Sequence, residues 1–256
     1  MISQKWSKLI RGLQQKKQRK LEQCFIVEGE KAVLELLAST WQVKALFATE
    51  RFLQQHAKAV ASLPLVEQCT ADELVKVGTF STNDAALAVV AIPERPAFTL
   101  TQPEWVLVLD TINDPGNLGS IIRIADWYGI KHIICSGDTA DSYNPKVIAA
   151  AKGSFLRVNL YYQDLTELFA KQQQRPVQPI YGAYLGGESI HNLALSQAGG
   201  FIVMGNEANG ISPEVGQYIT KKITIPAYGS AESLNVGIAT AIICDNLCRI
   251  SQPNQV

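Results

Sequence analysis

The chain has 256 residues, of which 47% are hydrophobic and 18% charged, and its 23 Lys and Arg residues balance 23 Asp and Glu residues. This composition is typical of a folded protein and excludes a low-complexity, disordered chain. No apolar run approaches the roughly 20 residues that a membrane-spanning helix needs, and the N-terminus lacks the apolar segment of a signal peptide, so we expect a cytoplasmic protein.

The sequence contains 5 Cys and 3 His residues, and none of them has the spacing of a metal site. An odd number of cysteines without a Cys-x-x-Cys pair is typical of buried thiols in a reducing compartment. We therefore expect buried, reduced cysteines and no bound metal.

The N-terminal segment is strongly basic, and its first acidic residue is Glu22. The basic residues before it are Lys5, Lys8, Arg11, Lys16, Lys17, Arg19 and Lys20. Such a cluster can neutralise the phosphates of a nucleic acid. A solvated helix face explains the same residues equally well, and the net charge of zero argues weakly against a nucleic-acid partner.

The first part of the chain alternates helical and extended patterns, as a small α/β domain does. Apolar residues at helical spacing predict a helix at Glu30–Leu37. Short apolar runs predict strands at Val43–Ala48, 65–66 and 87–92.

A proline-containing stretch then interrupts both kinds of structure, with prolines at positions 93, 96 and 103. We interpret it as a linker. A chain of this length suits two domains of roughly 150 residues each. We therefore predict an N-terminal domain of residues 1–95 and a C-terminal domain of residues 104–256.

Strand patterns are stronger after the linker. Continuous apolar runs, typical of strands buried on both faces, occur at Trp105–Leu109, His132–Cys135, 201–204 and 223–225. Helical patterns lie between them at 120–128, 145–152 and 165–171. This alternation predicts an α/β domain whose parallel sheet is covered on both sides.

The last helix, predicted at about 233–250, is apolar around most of its circumference. A helix of this kind must be buried on more than one side. It lies either deep in a core or in an oligomer interface. We favour the interface, because a C-terminal helix on one face of a sheet otherwise has solvent on its other side.

Three polar segments that contain glycine follow predicted strands, at residues 113–123, 204–212 and 225–235. Ligands of open parallel sheets bind beyond the carboxyl ends of the strands, so these segments are candidate binding loops. In the first, Ser120 is expected to cap a helix that carries Arg123 in its first turn. A strand-to-helix turn with Arg123 in solvent is an alternative. Because the chain lacks G-x-G-x-x-G and phosphate-loop motifs, a nicotinamide-dependent enzyme is only a weak competitor.

Taken together, the three segments resemble the three motifs of the SpoU (TrmH-like) RNA 2′-O-methyltransferases of the SPOUT superfamily. The matching positions are Asn113-Asp114-Pro115-x-Asn117-x-Gly119 with Arg123, then Gly205-Asn206-Glu207-x-x-Gly210, then Ile225-Pro226-x-x-Gly229-x-x-Glu232-Ser233-Leu234-Asn235-Val236. Residues 25–29 also resemble the start of the small RNA-binding domain that precedes the catalytic domain in many members. The resemblance covers nearly the whole chain.

This resemblance implies an L30e-like α/β RNA-binding domain followed by a SPOUT α/β domain with a parallel sheet and a C-terminal trefoil knot. It also implies S-adenosylmethionine as cosubstrate and a homodimer formed through the knotted domain, which agrees with the interface inferred for the last helix. Ribosomal RNA is the favoured substrate, because members that act on transfer RNA often lack the N-terminal domain. Two alternatives stay open. The substrate is transfer RNA, or the chain is an RNA-binding protein that kept the fold and lost catalysis.

By the same resemblance, the catalytic residues are Asn117, Arg123, Glu207, Ser233 and Asn235. The cofactor-binding residues are Met204, Gly205, Asn206, Ile225 and Leu234. A neutral ribose 2′-hydroxyl is a poor nucleophile, so its developing negative charge must be stabilised. We expect Arg123 to bind the adjacent phosphate and stabilise the forming alkoxide, with the other four catalytic residues around it. A guanidinium keeps its charge, which makes it unsuited to act as a base.

Overall fold

The computed structural model describes residues 1–100, 102–172, 178–194 and 199–251. They form two compact units. The first contains Met1–Pro96 and Asp141–Leu156, and the second contains Ala97–Ala140 and the described residues of Arg157–Val256. Within the described residues, no helix is both long and apolar enough to cross a bilayer.

The N-terminal part of the first unit is a four-stranded sheet with helices. Its elements are α1 (Gln4–Gly12), α2 (Lys16–Glu22), β1 (Cys24–Glu28), α3 (Glu30–Leu37), β2 (Val43–Ala48), α4 (Glu50–Gln55), α5 (Ala57–Val60), β3 (Val66–Gln68), α6 (Ala71–Val77) and β4 (Ala86–Ala91). The strand order is β1-β4-β2-β3, with β2 and β3 parallel and the other pairs antiparallel. The predicted α3 and β2 are confirmed with the same bounds. Strand β1 was not predicted from the sequence patterns, and all five of its residues are buried.

Apolar side chains on one face of this sheet pack against helices in a common core. Ile10 of α1 packs in one apolar cluster with Phe47 of β2 and Leu87 of β4. Helix α6 begins with a capping box, in which Thr70 and Glu73 each accept a hydrogen bond from the other's backbone N–H. A local capping motif therefore sets where α6 begins, and apolar contacts between residues distant in sequence hold the helices on the sheet.

The second unit is built on a six-stranded parallel sheet. The remaining elements of the chain are β5 (Trp105–Leu109), α7 (Pro115–Trp127), β6 (His132–Cys135), α8 (Pro145–Ala151), β7 (Asn159–Tyr162), α9 (Leu165–Gln172), β8 (Ile180–Ser189), β9 (Gly200–Met204), α10 (Pro213–Gly216), β10 (Lys221–Thr224) and α11 (Val236–Ser251). The strand order is β10-β8-β9-β5-β6-β7, and every neighbouring pair is parallel. The predicted α/β class with a parallel sheet is confirmed. Strands β7 and β8 were not predicted.

Helix α7 begins at Pro115, five residues before its predicted start. Asp114 is the N-cap, and its Oδ1 accepts a hydrogen bond of 2.8 Å from the backbone N–H of Asn117. Proline at the first helical position fixes the backbone for the helix. The prediction that Ser120 caps this helix is therefore wrong. Arg123 lies in the third turn instead of the first.

The segment Asp141–Leu156, which contains α8, belongs to the first unit although β6 and β7 on either side belong to the second. Its aromatic side chains explain this. The ring of Phe25 in β1 lies 4.8 Å from the ring of Tyr143 and 6.1 Å from that of Phe155, measured between centroids. Trp41 also contacts Phe155, at 5.9 Å. Aromatic rings bury large apolar areas, so this cluster anchors the segment. A division of the sequence into two continuous domains does not anticipate it.

Arg19 of α2 is buried in the first unit, with 2% of its surface exposed. Its Nε and Nη2 donate to Oδ2 of Asp141 at 3.0 and 2.6 Å, and its Nη1 donates to the carbonyl oxygen of Leu13 at 2.8 Å. Arg19 therefore does not share the exposure of the other six basic residues with which it was predicted to bind RNA. A buried arginine needs a partner for its charge, and Asp141 supplies it.

Candidate active site

The three polar segments meet beyond the carboxyl ends of β5, β9 and β10. One side chain from each segment joins a hydrogen-bonded trio: Asn117, Glu207 and Asn235. The side-chain nitrogen of Asn117 donates to Oε1 of Glu207, and that of Asn235 donates to Oδ1 of Asn117 at 2.9 Å and to Oε1 of Glu207 at 3.4 Å. Oδ1 of Asn235 accepts from the backbone N–H groups of Gly237 and Ile238 at 3.0 and 3.4 Å. The partners therefore fix the orientation of both amides.

Glu207 also lines a cavity of about 730 Å³, which is in the size range of small-molecule sites. The second and third segments form most of its wall. All five residues predicted to bind the cofactor lie on this wall: Met204, Gly205, Asn206, Ile225 and Leu234. Among the described residues that line the cavity, none is Lys, Arg or His, whereas Glu207 and Glu232 are acidic. The wall offers apolar surface, backbone polar groups and negative charge.

Gly205 lies where the loop after β9 folds back on itself. A Cβ at this position would lie 2.2 Å from the carbonyl carbon of Gly210 and from the nitrogen of Ile211. Asn206 and Gly210 exchange two backbone hydrogen bonds of 2.9 and 2.8 Å that close the loop. The sequence indicated close approach of a ligand to Gly205. The structure shows that the loop's own backbone already requires glycine there.

Two of the predicted catalytic residues lie apart from the trio. Arg123 is exposed and makes no hydrogen bond or ion pair with any residue that the structure describes. It follows Asn117 by six positions, which places it about 9 Å further along α7 and on a different face. Ser233 is exposed in the loop before α11. The expected arrangement of four residues around Arg123 is therefore not formed within one chain.

A buried carboxylate, missed from the sequence, lies beneath the site. Asp110 follows β5 directly and is 4% exposed. Its Oδ2 accepts hydrogen bonds from the backbone N–H and the hydroxyl of Ser212, at 2.8 and 2.7 Å. An acidic residue that ends a continuously apolar strand is a usable signal, but Asp110 lies outside the three motif segments. Burial raises the pKa of Tyr184, which lines the cavity, and the charge of Asp110 raises that pKa further, so the phenol keeps its proton.

Comparison with known proteins identifies the family of the C-terminal part of the chain. The sequence profile of the SpoU rRNA Methylase family matches residues 104–245, more than half of the chain. The chain belongs to the SpoU rRNA methylase family. The family expected from the three motifs is thus confirmed. A second profile, of the MRM3-like substrate binding domain, matches residues 7–88.

Relatives in the SpoU family resemble the chain over nearly its whole length. The 23S rRNA (guanosine(2553)-2′-O)-methyltransferase RlmP of Bacillus subtilis is 31% identical over 94% of both chains. A TrmH-family protein of known structure from Porphyromonas gingivalis has 35% sequence identity to this chain. The two structures superpose with a TM-score of 0.84 over 96% of this chain and 98% of the other. An AdoMet-bound rRNA methyltransferase from Sinorhizobium meliloti has 27% sequence identity, and its structure gives a TM-score of 0.86 over 97% of this chain and 96% of the other. These likenesses confirm the expected SPOUT-type architecture, while the trefoil knot stays a prediction.

Proposed function

We propose that this SpoU-family protein transfers a methyl group from S-adenosylmethionine to a ribose 2′-hydroxyl of ribosomal RNA. One observation carries the proposal: Asn117, Glu207 and Asn235 come from three separate segments and are hydrogen-bonded to one another beside a cavity of ligand size. Hydrogen bonds between polar side chains that solvent can reach add little net stability. Their convergence is better explained by a site that binds and orients a substrate.

The cavity fits the proposed cosubstrate. S-adenosylmethionine supplies a methyl group on a positively charged sulfur. Ile225 and Leu234 offer apolar surface to its adenine, and Glu207 and Glu232 bring negative charge to the wall. A dinucleotide would instead need cations or a helix N-terminus for its pyrophosphate. The described lining has no basic side chain, which speaks against the nicotinamide-dependent alternative.

The trio suits a ribose as the acceptor. Glu207 can accept a hydrogen bond from a hydroxyl, and the amides of Asn117 and Asn235 hold that carboxylate in place. Arg123, exposed and without a charge partner among the described residues, is available for an RNA phosphate next to the reacting ribose. Its guanidinium would stabilise the negative charge that develops on the 2′-oxygen.

RNA binding is assigned to the first unit. Six basic residues of α1 and α2 are exposed and form no ion pair within the described chain: Lys5, Lys8, Arg11, Lys16, Lys17 and Lys20. Those of α1 recur every third residue and so form a stripe along one side of the helix. The relatives named above as rRNA methyltransferases and the match to a substrate-binding domain favour ribosomal RNA over transfer RNA. A ribosomal substrate places the activity in the cytoplasm.

We also propose a homodimer formed through the second unit. Helices α7 and α11 pack together, and each presents a large apolar side chain to solvent. Trp127 is 83% exposed and Ile238 is 54% exposed. Exposed apolar surface of this kind is typical of an interface, and an isologous two-fold pair is the commonest assembly. Sedimentation velocity should give twice the mass of one chain, and Trp127→Glu should shift the equilibrium toward a single chain. Sedimentation of the wild-type protein as one chain at micromolar concentration would contradict the dimer.

The function is tested by methyl transfer from labelled S-adenosylmethionine to separated, unmodified ribosomal and transfer RNA, followed by nucleoside analysis. Label on the ribose of a ribosomal nucleotide is the expected result. Label in transfer RNA would overturn the substrate, and label on a base would overturn the reaction. No label despite binding of S-adenosylmethionine and RNA would favour a requirement for an assembling ribosomal particle. No cofactor binding at all would favour the alternative of an RNA-binding protein without catalysis.

The matched variants are Asn117→Ala, which removes one of the three side chains of the trio, and Asn192→Ala, an exposed asparagine outside the site. Only the first should lower methyl transfer, and it should do so with little change in the affinity for RNA. Equal activity of the two variants would contradict the role assigned to the trio.

A further inference from the structure

The strongest unassigned feature of the second unit is a buried polar network under the loop that follows β9. Asp110 lies at its centre and accepts three hydrogen bonds: two from Ser212 at 2.8 and 2.7 Å, and one from the hydroxyl of Thr111 at 3.2 Å. Ser212 is the N-cap residue of α10, yet its hydroxyl donates to Asp110 and does not cap the helix. A carboxylate with 4% exposure therefore ties the end of β5 to the end of the loop.

Thr111, the next residue, has a φ of 62°. The left-handed region is unfavourable for a β-branched residue, so the surroundings must hold it there. Its N–H donates to Oγ of Ser136 at 2.9 Å, and its carbonyl oxygen accepts from the side-chain nitrogen of Asn206 at 2.8 Å. The strained residue thus contacts the loop after β6 and the beginning of the loop after β9.

Both ends of residues 205–212 are therefore attached to the same two consecutive residues, Asp110 and Thr111. Between these ends, Asn206 uses its Oδ1 to accept from the N–H groups of Ala208 and Asn209, at 2.9 and 3.3 Å. Glu207 stands in the middle of this turn and reaches Asn117. The position of Glu207 consequently depends on attachments that make no contact with the trio themselves.

We propose that Asp110 is a positioning residue, which holds the 205–212 loop in the conformation that binds S-adenosylmethionine and presents Glu207 to the ribose. This inference rests on the proposed function. Charge-assisted hydrogen bonds from a buried carboxylate are stronger than neutral ones, and a buried network holds its members in one arrangement. The loop is then pre-organised, and binding of the cosubstrate does not have to order it.

The variant Asp110→Asn keeps the size of the side chain and replaces one acceptor oxygen by a donor group. Asp164 provides a matched control. It also lies just after a strand, and its Oδ1 accepts three hydrogen bonds, from the N–H and hydroxyl of Thr166 and from the N–H of Glu167. Unlike Asp110 it is exposed, and it forms no hydrogen bond with the 205–212 loop. Asp164→Asn is thus the same chemical change at a comparable local position.

Hydrogen exchange and cofactor binding test the proposal together on the full-length protein. For Asp110→Asn, we expect faster amide exchange in residues 206–212 and an increase of about tenfold or more in the Kd for S-adenosylmethionine, with the Kd for RNA unchanged. For Asp164→Asn, neither the loop exchange nor the cofactor Kd should change.

The possible failures are distinguishable. Unchanged loop exchange in Asp110→Asn would overturn the positioning role. Faster exchange with an unchanged cofactor Kd, or a lower melting temperature alone, would reduce Asp110 to a purely structural residue and also overturn it. If the wild-type protein bound no S-adenosylmethionine, the proposed function would fail, and the cofactor part of this inference with it. The exchange measurement would still decide whether Asp110 holds the loop.

Discussion

Substitution of Gly205 by alanine is the sharpest test of how the cavity is built. The added Cβ would lie 2.2 Å from two backbone atoms, the carbonyl carbon of Gly210 and the nitrogen of Ile211. Carbon atoms in contact are separated by about 3.5 Å, so the two sides of the loop would have to move apart by about 1 Å. The obstacle is backbone and cannot rotate away as a side chain could.

The size of the effect follows from what must move. Overpacking costs about 1–3 kcal/mol in general. Here the movement would also weaken the two backbone hydrogen bonds between Asn206 and Gly210, each of which contributes about 1 kcal/mol. We therefore expect a loss near 3 kcal/mol in the free energy of unfolding of the second unit. At about 2–4 °C per kcal/mol, the melting temperature should fall by roughly 6–12 °C.

The measurements are thermal denaturation and calorimetric binding of S-adenosylmethionine. Gly137→Ala is the control, because a Cβ at Gly137 meets no atom within 4 Å and the residue is not on the cavity wall. Gly205→Ala should lose both stability and most cofactor affinity, and the control should lose neither. If Gly205→Ala kept the wild-type melting temperature and the wild-type Kd for S-adenosylmethionine, the reasoning would be refuted. The loop would then have accommodated a methyl group without displacement.

Three further predictions concern other parts of the chain. Arg19→Met should lower the free energy of unfolding by about 3 kcal/mol, because it leaves the Asp141 carboxylate, which is only 17% exposed, without its charge partner. The double change with Asp141→Leu should recover part of the loss in urea denaturation. Asn235→Asp should keep the hydrogen bonds that cap α11 but remove the donor to Glu207. The rate of methyl transfer should therefore fall at least about tenfold, with little change in melting temperature. Activity equal to that of the wild-type protein would contradict the role assigned to the trio. Burial raises the pKa of Cys69 to about 12, so its thiol should not react with a thiol reagent at pH 8 until the protein unfolds. As pH rises, the Cys69 thiol ionises in the unfolded chain at a lower pH than in the folded chain, so the free energy of unfolding should decrease between pH 9 and 12. A free energy of unfolding that does not change over this range would contradict the raised pKa.

Local patterns in the sequence determined the elements whose signals are themselves local. Continuous apolar runs gave the bounds of Trp105–Leu109 and His132–Cys135 correctly, and helical spacing gave those of Glu30–Leu37. The order and spacing of the three motif segments identified the family. The start of α7 was misplaced because its glycines indicated a loop, while an Asp-Pro pair in fact begins the helix.

Tertiary structure decided the rest, because burial and hydrogen-bond partners depend on residues far apart in the chain. Arg19 belonged to a basic cluster by sequence, and only its pairing with Asp141, 122 positions away, makes it part of the interior. The sequence named Asn117, Glu207 and Asn235 separately, but only the parallel sheet brings their strand ends together. Asp110 and Thr111 carry no motif at all. Thr111 has a strained backbone and Asp110 a buried carboxylate, and both properties depend on the packing of β5 against the loop after β9.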